Sequence, residues 1–292
     1  MSALELFEEH RPVMFGVAYR MLGSVVDAED ILQDAWLKWS AVDVASVTHP
    51  RAYLCRTVTN LAINRARSAA VQRESYVGPW LPEPLVTEPD AGGDVERAEA
   101  VSLAMLVVLE TLSPLERAVF VLREVFDFGF AEIAGMLDRT EASVRQVGSR
   151  ARAHVRARRP RYDAPTEVRR KVAAEFQAAC LGGDINQVMA MLAPDVAAWT
   201  DGGGKVRAAL RPIHGADKVA RWLLGVLSVP VPDAGVREVL VNGEPGHLFT
   251  SATRLDTVAC LDLAADGTIS AIRLIRNPDK LTRVRLTGGT SG

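Results

Sequence analysis

The chain has few cysteines, almost no net charge and no long apolar run. Cys55, Cys180 and Cys260 are the full set among 292 residues. An odd number with no close spacing fits neither a disulfide framework nor a zinc site, and a reducing compartment is the simple expectation. No apolar stretch reaches the roughly 18 residues that a membrane helix needs. The first residues, Met-Ser-Ala-Leu-Glu-Leu-Phe-Glu-Glu, are acidic where a secretion signal is basic. A cytoplasmic protein with no membrane partner is therefore expected. Hydrophobic residues make up 48% and charged residues 24%, an ordinary globular balance with length for two or three domains.

The formal net charge of −2 argues on its face against nucleic acid, but the charges are segregated. Residues 51–73 hold five Arg and no acid. Residues 139–161 hold eight Arg and one acid, Glu141, whereas residues 83–99 hold six acids and one Arg. Such a chain can meet phosphate at two places and something else in between.

The first half has helical periodicity. Phe7, Val13, Met14, Val17, Ala18, Met21 and Leu22 share one helix face, and Gly23-Ser24 ends it. Ala28, Ile31, Leu32, Ala35 and Trp39 mark a second helix. After His49-Pro50, a third carries Leu54, Val58, Leu61 and Ala62. Four Pro and three Gly between residues 75 and 95 exclude a regular helix there, so this stretch is a linker. Its Tyr76, Trp80 and Leu81 suit docking rather than a bare spacer. Helices are expected again from about Val95 to Arg159, and Pro160 and Pro165 bracket a second boundary.

Beyond it, a long helix over Val168–Ala179 ends at Gly182-Gly183, and Ile185–Leu192 gives a short one. Short alternating runs follow at 196–200, 206–213, 236–241, 247–253, 258–263 and 269–275, interrupted by a helix at 216–226. Helices followed by antiparallel-looking strands predict an α+β domain. No fixed-period repeat is visible.

Residues 113–159 hold the strongest constellation. Ser113-Pro114-Leu115-Glu116 opens a helix, 130–137 forms a short one, and Asp138-Arg139-Thr140 turns into a longer helix running to about Arg158. On that last helix Val144, Val147, Ala151 and Val155 face inward. Arg145, Ser149, Arg152 and Arg156 line another side, with Gln146 and Arg150 beside them. A recognition helix in the major groove needs this division: Arg pairs with guanine, Gln with adenine, and further Arg meet phosphate. A solvated basic helix would show the same pattern.

The run Leu-Ser-Pro-Leu-Glu-Arg-Ala-Val-Phe-Val-Leu-Arg-Glu-Val-Phe-Asp-Phe-Gly-Phe-Ala-Glu-Ile-Ala-Gly-Met-Leu, with the later Ala-Ser-Val-Arg-Gln-Val-Gly-Ser-Arg-Ala-Arg, resembles region 4 of extracytoplasmic-function sigma factors. The resemblance implies −35 promoter recognition through Arg145, Gln146, Ser149, Arg150 and Arg152, and contact with the β flap of RNA polymerase. Asp27, Asp30 and Asp34 share a helix face with Gln33 adjoining. The face lacks His and loop spacing, so it is a poor metal site. It is either a solvated acidic face or a dock for a basic partner. The segment resembles sigma region 2.2, which implies that these four residues grip the β′ clamp helices of core RNA polymerase. Arg56, Asn60, Asn64 and Arg67 recur opposite Leu54, Val58 and Leu61, and suit phosphate and unpaired bases. They resemble regions 2.3 and 2.4, which implies opening and reading of the −10 element. Asn64 departs from the Asp common in relatives, and Tyr53 is the clear stacking aromatic.

Residues 165–282 resemble a SnoaL-like, NTF2-type cone. Asp201-Gly202-Gly203-Gly204-Lys205-Val206, Asn277-Pro278-Asp279-Lys280-Leu281 and Trp80-Leu81-Pro82-Glu83-Pro84 resemble marks of the sigma subgroup with such an extension. The expected fold is thus multidomain: all-α region 2 (1–74), a linker (75–96), a region 4 helix-turn-helix (97–160), an α+β cone (165–282) and a tail (283–292). The resemblance implies control in cis, the Asp201–Val206 loop and the Asn277–Leu281 tail making or breaking contact with region 2 or the linker. It also allows a small ligand in the cone.

Asp201 and His214 would be the general-base candidates of an isomerase or cyclase on this fold. However, Asp201 precedes three glycines and reads as a turn. Gly-Gly-Gly-Lys lacks the full phosphate-loop spacing. No catalytic residue, metal or cofactor is expected. A ligand-sensing helix-turn-helix regulator is the alternative, but it would need neither the acidic face nor the Arg/Asn helix.

Overall fold

The computed structural model describes residues 2–87, 101–158, 164–252 and 254–284. They form two compact units. One contains residues 2–75 with 105–158, the other residues 76–87 and 101–104 with 164–252 and 254–284.

In the first unit, α1 (Ala3–Leu22), α2 (Val25–Trp39) and α3 (Pro50–Glu74) form a bundle. Ser2 and Glu5 build a capping box at the start of α1. Gly23 ends it in the left-handed region, where a side chain would be strained, and Ser24 at once caps α2. The apolar stripes meet as the sequence predicts: Met14, Val17, Met21, Ala28, Leu32, Trp39, Leu54 and Val58 are all buried.

The second part of this unit contains α4 (Leu103–Leu109), α5 (Pro114–Phe120), α6 (Phe130–Leu137) and α7 (Glu141–Arg158). Described helix therefore resumes at Leu103; the expected restart near Val95 lies outside the described residues. Ser113 caps α5 with Glu116 in a capping box. A widened helical turn, Val121–Val125, follows α5. Asp138 takes a left-handed conformation, and the Thr140 hydroxyl accepts from Ser143 N–H at the start of α7. Gly148 lets α7 approach closely: a Cβ there would stand 3.2 Å from Phe130 and 3.4 Å from Val119.

The second unit contains α8 (Thr166–Gly182), α9 (Ile185–Met191), α10 (Ala216–Leu227), a helical turn α11 (Pro278–Leu281) and one seven-stranded sheet. The strands are β1 (Val86–Thr87), β2 (Leu192–Asp201), β3 (Ile213–His214), β4 (Ala234–Val241), β5 (Glu244–Ser251), β6 (Arg254–Leu263) and β7 (Ile269–Ile275), in the order β1-β4-β5-β6-β7-β2-β3. Phe176 and Ala179 of α8, Val188 of α9, and Val219 and Leu223 of α10 pack on Val196, Ala198, Ile269 and Ile272. This is the expected α+β architecture.

Three details differ from the sequence expectation. The run 206–213 is not a strand. Only Ile213 and His214 pair, because residues 202–206 curl into a turn, with Lys205 and Val206 N–H groups donating to the Gly202 carbonyl. The sheet is not wholly antiparallel, since β2 runs parallel to β7, Asp201 opposite Ile275. The linker also supplies a strand: Val86 and Thr87 pair with Val241 and Leu240 at the sheet edge.

Candidate nucleic-acid interface and linker clamp

The helix α7 presents the predicted polar side. Arg145, Gln146, Ser149 and Arg150 are exposed and Arg152 is half-buried, while Val144, Val147, Ala151 and Val155 are buried. Arg145 is pre-oriented. Its Nε donates to Glu141 at 3.0 Å, one turn back, and its guanidinium stands 4.8 Å from the Phe130 ring centroid. Arg152 lies 3.6 Å from Glu124, and Arg150 lies 3.9 Å from Glu116.

On α3, Arg56, Asn60, Asn64 and Arg67 are all exposed along one side. Asn60 is engaged all the same: its Nδ2 donates to the Met136 carbonyl of α6 at 3.1 Å. A groove of about 680 Å³ opens beside this contact, lined in part by His10, Arg51, Tyr53, Arg56, Phe128 and Glu132.

The acidic face of α2 divides in two. Asp27 and Asp30 both accept from Arg65 of α3 at 2.9 Å. Gln33 and Asp34 stand exposed beside Leu37, whose side chain is 68% exposed. The four residues share a face as expected, but Asp27 and Asp30 are both engaged by Arg65 within the bundle.

The second unit brings its two motifs together on the linker. Asp201 is fully buried at the end of β2, and its carboxylate gathers donors from three segments. It accepts from the Tyr76 hydroxyl at 2.5 Å, the Leu81 N–H at 2.8 Å, the Gly203 N–H at 3.1 Å and the Lys280 ammonium at 2.6 Å. Lys280 also donates to the Leu81 carbonyl and sits 4.2 Å from the Trp80 ring centroid. Asn277 donates to the Tyr76 oxygen at 2.9 Å and caps α11. Lys205 and Asp279 tie the two motifs together at 2.6 Å. Pro278 starts α11 and Leu281 is buried beneath it. Burial first, and the Asp201 carboxylate next, hold the Tyr76 phenol well above its ordinary range.

The glycines have steric reasons. A Cβ at Gly202 would meet the Val206 carbonyl at 2.6 Å, and one at Gly203 would meet Asn277 at 2.3 Å. Gly204 faces Val77 at 3.1 Å. Gly203 and Gly204 also have φ values of +60° and +70°. Thus the Asp-Gly-Gly-Gly-Lys-Val loop is shaped for close approach to the tail and linker. Asp201 is occupied in this cluster rather than facing a substrate. His214 lies exposed on the short edge strand, 6.4 Å from the Trp199 ring.

Sequence profiles of Sigma-70 region 2 and Sigma-70 region 4 match residues 6–71 and 102–155. The chain is 40% identical to the ECF RNA polymerase sigma factor SigJ of Mycobacterium tuberculosis over 288 residues, covering 94% of this chain and 92% of that one. It belongs to the extracytoplasmic-function sigma factors. The crystal structure of SigJ superposes with a TM-score of 0.76 at 36% identity, covering 96% of this chain and 98% of that one. The probable ECF sigma factor SigI of the same organism is 30% identical, with 96% of both chains covered.

As a sigma factor, the protein is a non-enzymatic transcription initiation factor that binds core RNA polymerase and promoter DNA. Among the described residues no helix is long and apolar enough to cross a membrane. Sequence reasoning missed the partly buried charge cluster of the sigma factor's first unit. Arg20, Arg73, Glu110 and Arg117 meet there, and no local pattern announces partners 37 residues apart.

Proposed function

We propose that this sigma factor divides its work along the expected boundaries: region 2 in 1–74, linker in 75–96, region 4 in 97–160, the SnoaL-like domain in 165–282 and a tail in 283–292. Region 4 reads the −35 element through Arg145, Gln146, Ser149, Arg150 and Arg152, and docks on the β flap. Arg56, Asn60, Asn64 and Arg67 of α3 open and read the −10 element. Asp27, Asp30, Gln33 and Asp34 of α2 dock on the β′ clamp helices. The exposure of the α7 and α3 rows and their cationic character support these assignments.

The C-terminal domain controls activity in cis by holding the linker. One observation carries this reading: Asp201 is fully buried and bonded to Tyr76, Leu81 and Lys280. A linker seated on the sheet is not free to engage the polymerase between the two promoter-binding modules. The gripped form is therefore the inactive one. A small ligand in the domain would act only through different affinities for the gripped and released forms.

The test is transcription by core polymerase from a cognate promoter, with the full chain limiting. Asp201→Asn removes the charge that holds Lys280 and the linker, and it raises transcript yield. Unchanged yield would remove the case for control by this domain. Failure of the wild-type chain to start transcripts with core would remove the promoter assignments.

A further inference from the structure

The partly buried charge cluster of the first unit lies where region 2 meets region 4. Glu110 follows the last residue of α4, and its two carboxylate oxygens take different partners. Oε2 accepts from Arg73 in the last turn of α3, and Oε1 accepts from Arg117 of α5 at 2.5 Å. The same two guanidiniums donate to the C-terminal end of α1: Arg73 to the Leu22 carbonyl and Arg117 to the Arg20 carbonyl, each at 2.8 Å. Both carbonyls lie in the last turn of α1, where the helix dipole favours cations. Phe126, just past the widened turn, completes the seam. It lies against Gly16 of α1, where a Cβ would approach it to 2.8 Å, and under the Arg20 guanidinium at 5.2 Å. Arg20 and Arg117 are 4% exposed. Burial draws Arg117 down to about 9, and burial with the Arg117 charge draws Arg73 down to about 10; both stay charged at neutral pH.

This closed arrangement conflicts with promoter binding. Positions −10 and −35 differ by 25 steps, about 85 Å along B-DNA at 3.4 Å per step. Here Asn60 touches α6 directly, and α7 is only about 27 Å long at 1.5 Å per residue. Both faces cannot occupy their elements at once, and the Asn60 amide is already spent on Met136.

We propose that Glu110 is a latch. It ties Arg73 of region 2 to Arg117 of region 4 at the end of α1, and its release separates the two modules and frees the α3 face for DNA. This latch is internal to the promoter-binding unit and separate from the linker clamp. The Glu110–Arg73 pair is largely shielded from water, so severing it leaves a charge that solvent compensates only in part.

The inference rests on the proposed promoter faces, and the experiment reads the latch without DNA or polymerase. The full chain is labelled at Val71→Cys and Ala157→Cys, both exposed positions, and the native cysteines are buried. Distances between the labels are read by pulsed electron resonance. The unsubstituted latch gives one short distribution. Glu110→Gln and Arg73→Gln each shift the equilibrium toward a long distribution by about 100-fold or more. Arg73→Gln leaves the Glu110–Arg117 pair inside region 4, so it decides the matter if Glu110→Gln loses helicity by circular dichroism. Arg73→Lys keeps the charge without the two-way fork and gives an intermediate population. Folded variants that retain the short distribution would overturn the latch.

Discussion

Gly203 shows how a single atom can specify a contact. Its φ of +60° alone would penalise any side chain, and a Cβ would in addition collide with Asn277 at 2.3 Å. Gly183 offers a control, with a φ of +73° and open space around it. Gly183→Ala is therefore expected to cost about 1 kcal/mol through backbone strain. Gly203→Ala should cost at least about 1 kcal/mol more, because Asn277 and the Tyr76 bond it supports must move. Thermal melts of the two variants check the difference; equal losses would mean that the loop yields without cost. His247 makes a second residue-scale case. Burial lowers its pKa, with Glu238 opposing, so the folded unit prefers the neutral ring. The unfolded ring titrates near 6.5. The stability it contributes is thus full above that pH and lost as pH falls toward the lower folded value. His247→Gln should shrink the drop in melting temperature between pH 7.5 and pH 5.5, and an unchanged drop would assign acid sensitivity elsewhere.

At the scale of elements, α7 was legible because one helix must satisfy two neighbours. Val144, Val147, Ala151 and Val155 repeat at core spacing and are buried, which leaves the Arg and Gln positions outside. Arg145 is exposed, so Arg145→Ala should alter stability by no more than about 0.5 kcal/mol. It should weaken −35 binding by about 1–3 kcal/mol and relax selectivity at one base pair. Competition binding against singly mutated −35 duplexes distinguishes this from a phosphate contact, which would weaken all sequences alike. The helix α3 was half legible. Its Arg and Asn row was visible, but not that Asn60 would be spent on Met136. The run 206–213 misled because Val206, Ala208 and Leu210 alternate with Arg207 and Arg211 as a strand does. The turn at Gly202 and the pull of the tail override that local pattern.

For the whole molecule, the linker is the element that changes meaning. It was expected as a connector with docking side chains, and its described residues 76–87 group with the C-terminal sheet. Truncation after Arg161 should therefore expose it. Chymotrypsin, blocked at Tyr76 and Trp80 in the full chain, should cut there in the truncated one, as peptide mapping would reveal. Continued resistance would mean that the sheet does not protect the linker. The near-neutral total charge also resolves at this scale, since cations and anions are distributed to different segments. By itself the sequence determined the helical modules, the helix-turn-helix and the α+β class, because periodicity, caps and turn residues act over a few positions. It also marked Asp201–Val206 and Asn277–Leu281 as special, through glycines and a capped turn whose demands are local. Only the tertiary structure decided what those motifs hold. The Asp201 carboxylate meets Tyr76 and Lys280 across 125 and 79 residues, and Glu110 joins Arg73 to Arg117 across a module boundary. Buried charges are placed by the requirement that each find a partner in three dimensions, and chain spacing carries no record of that pairing.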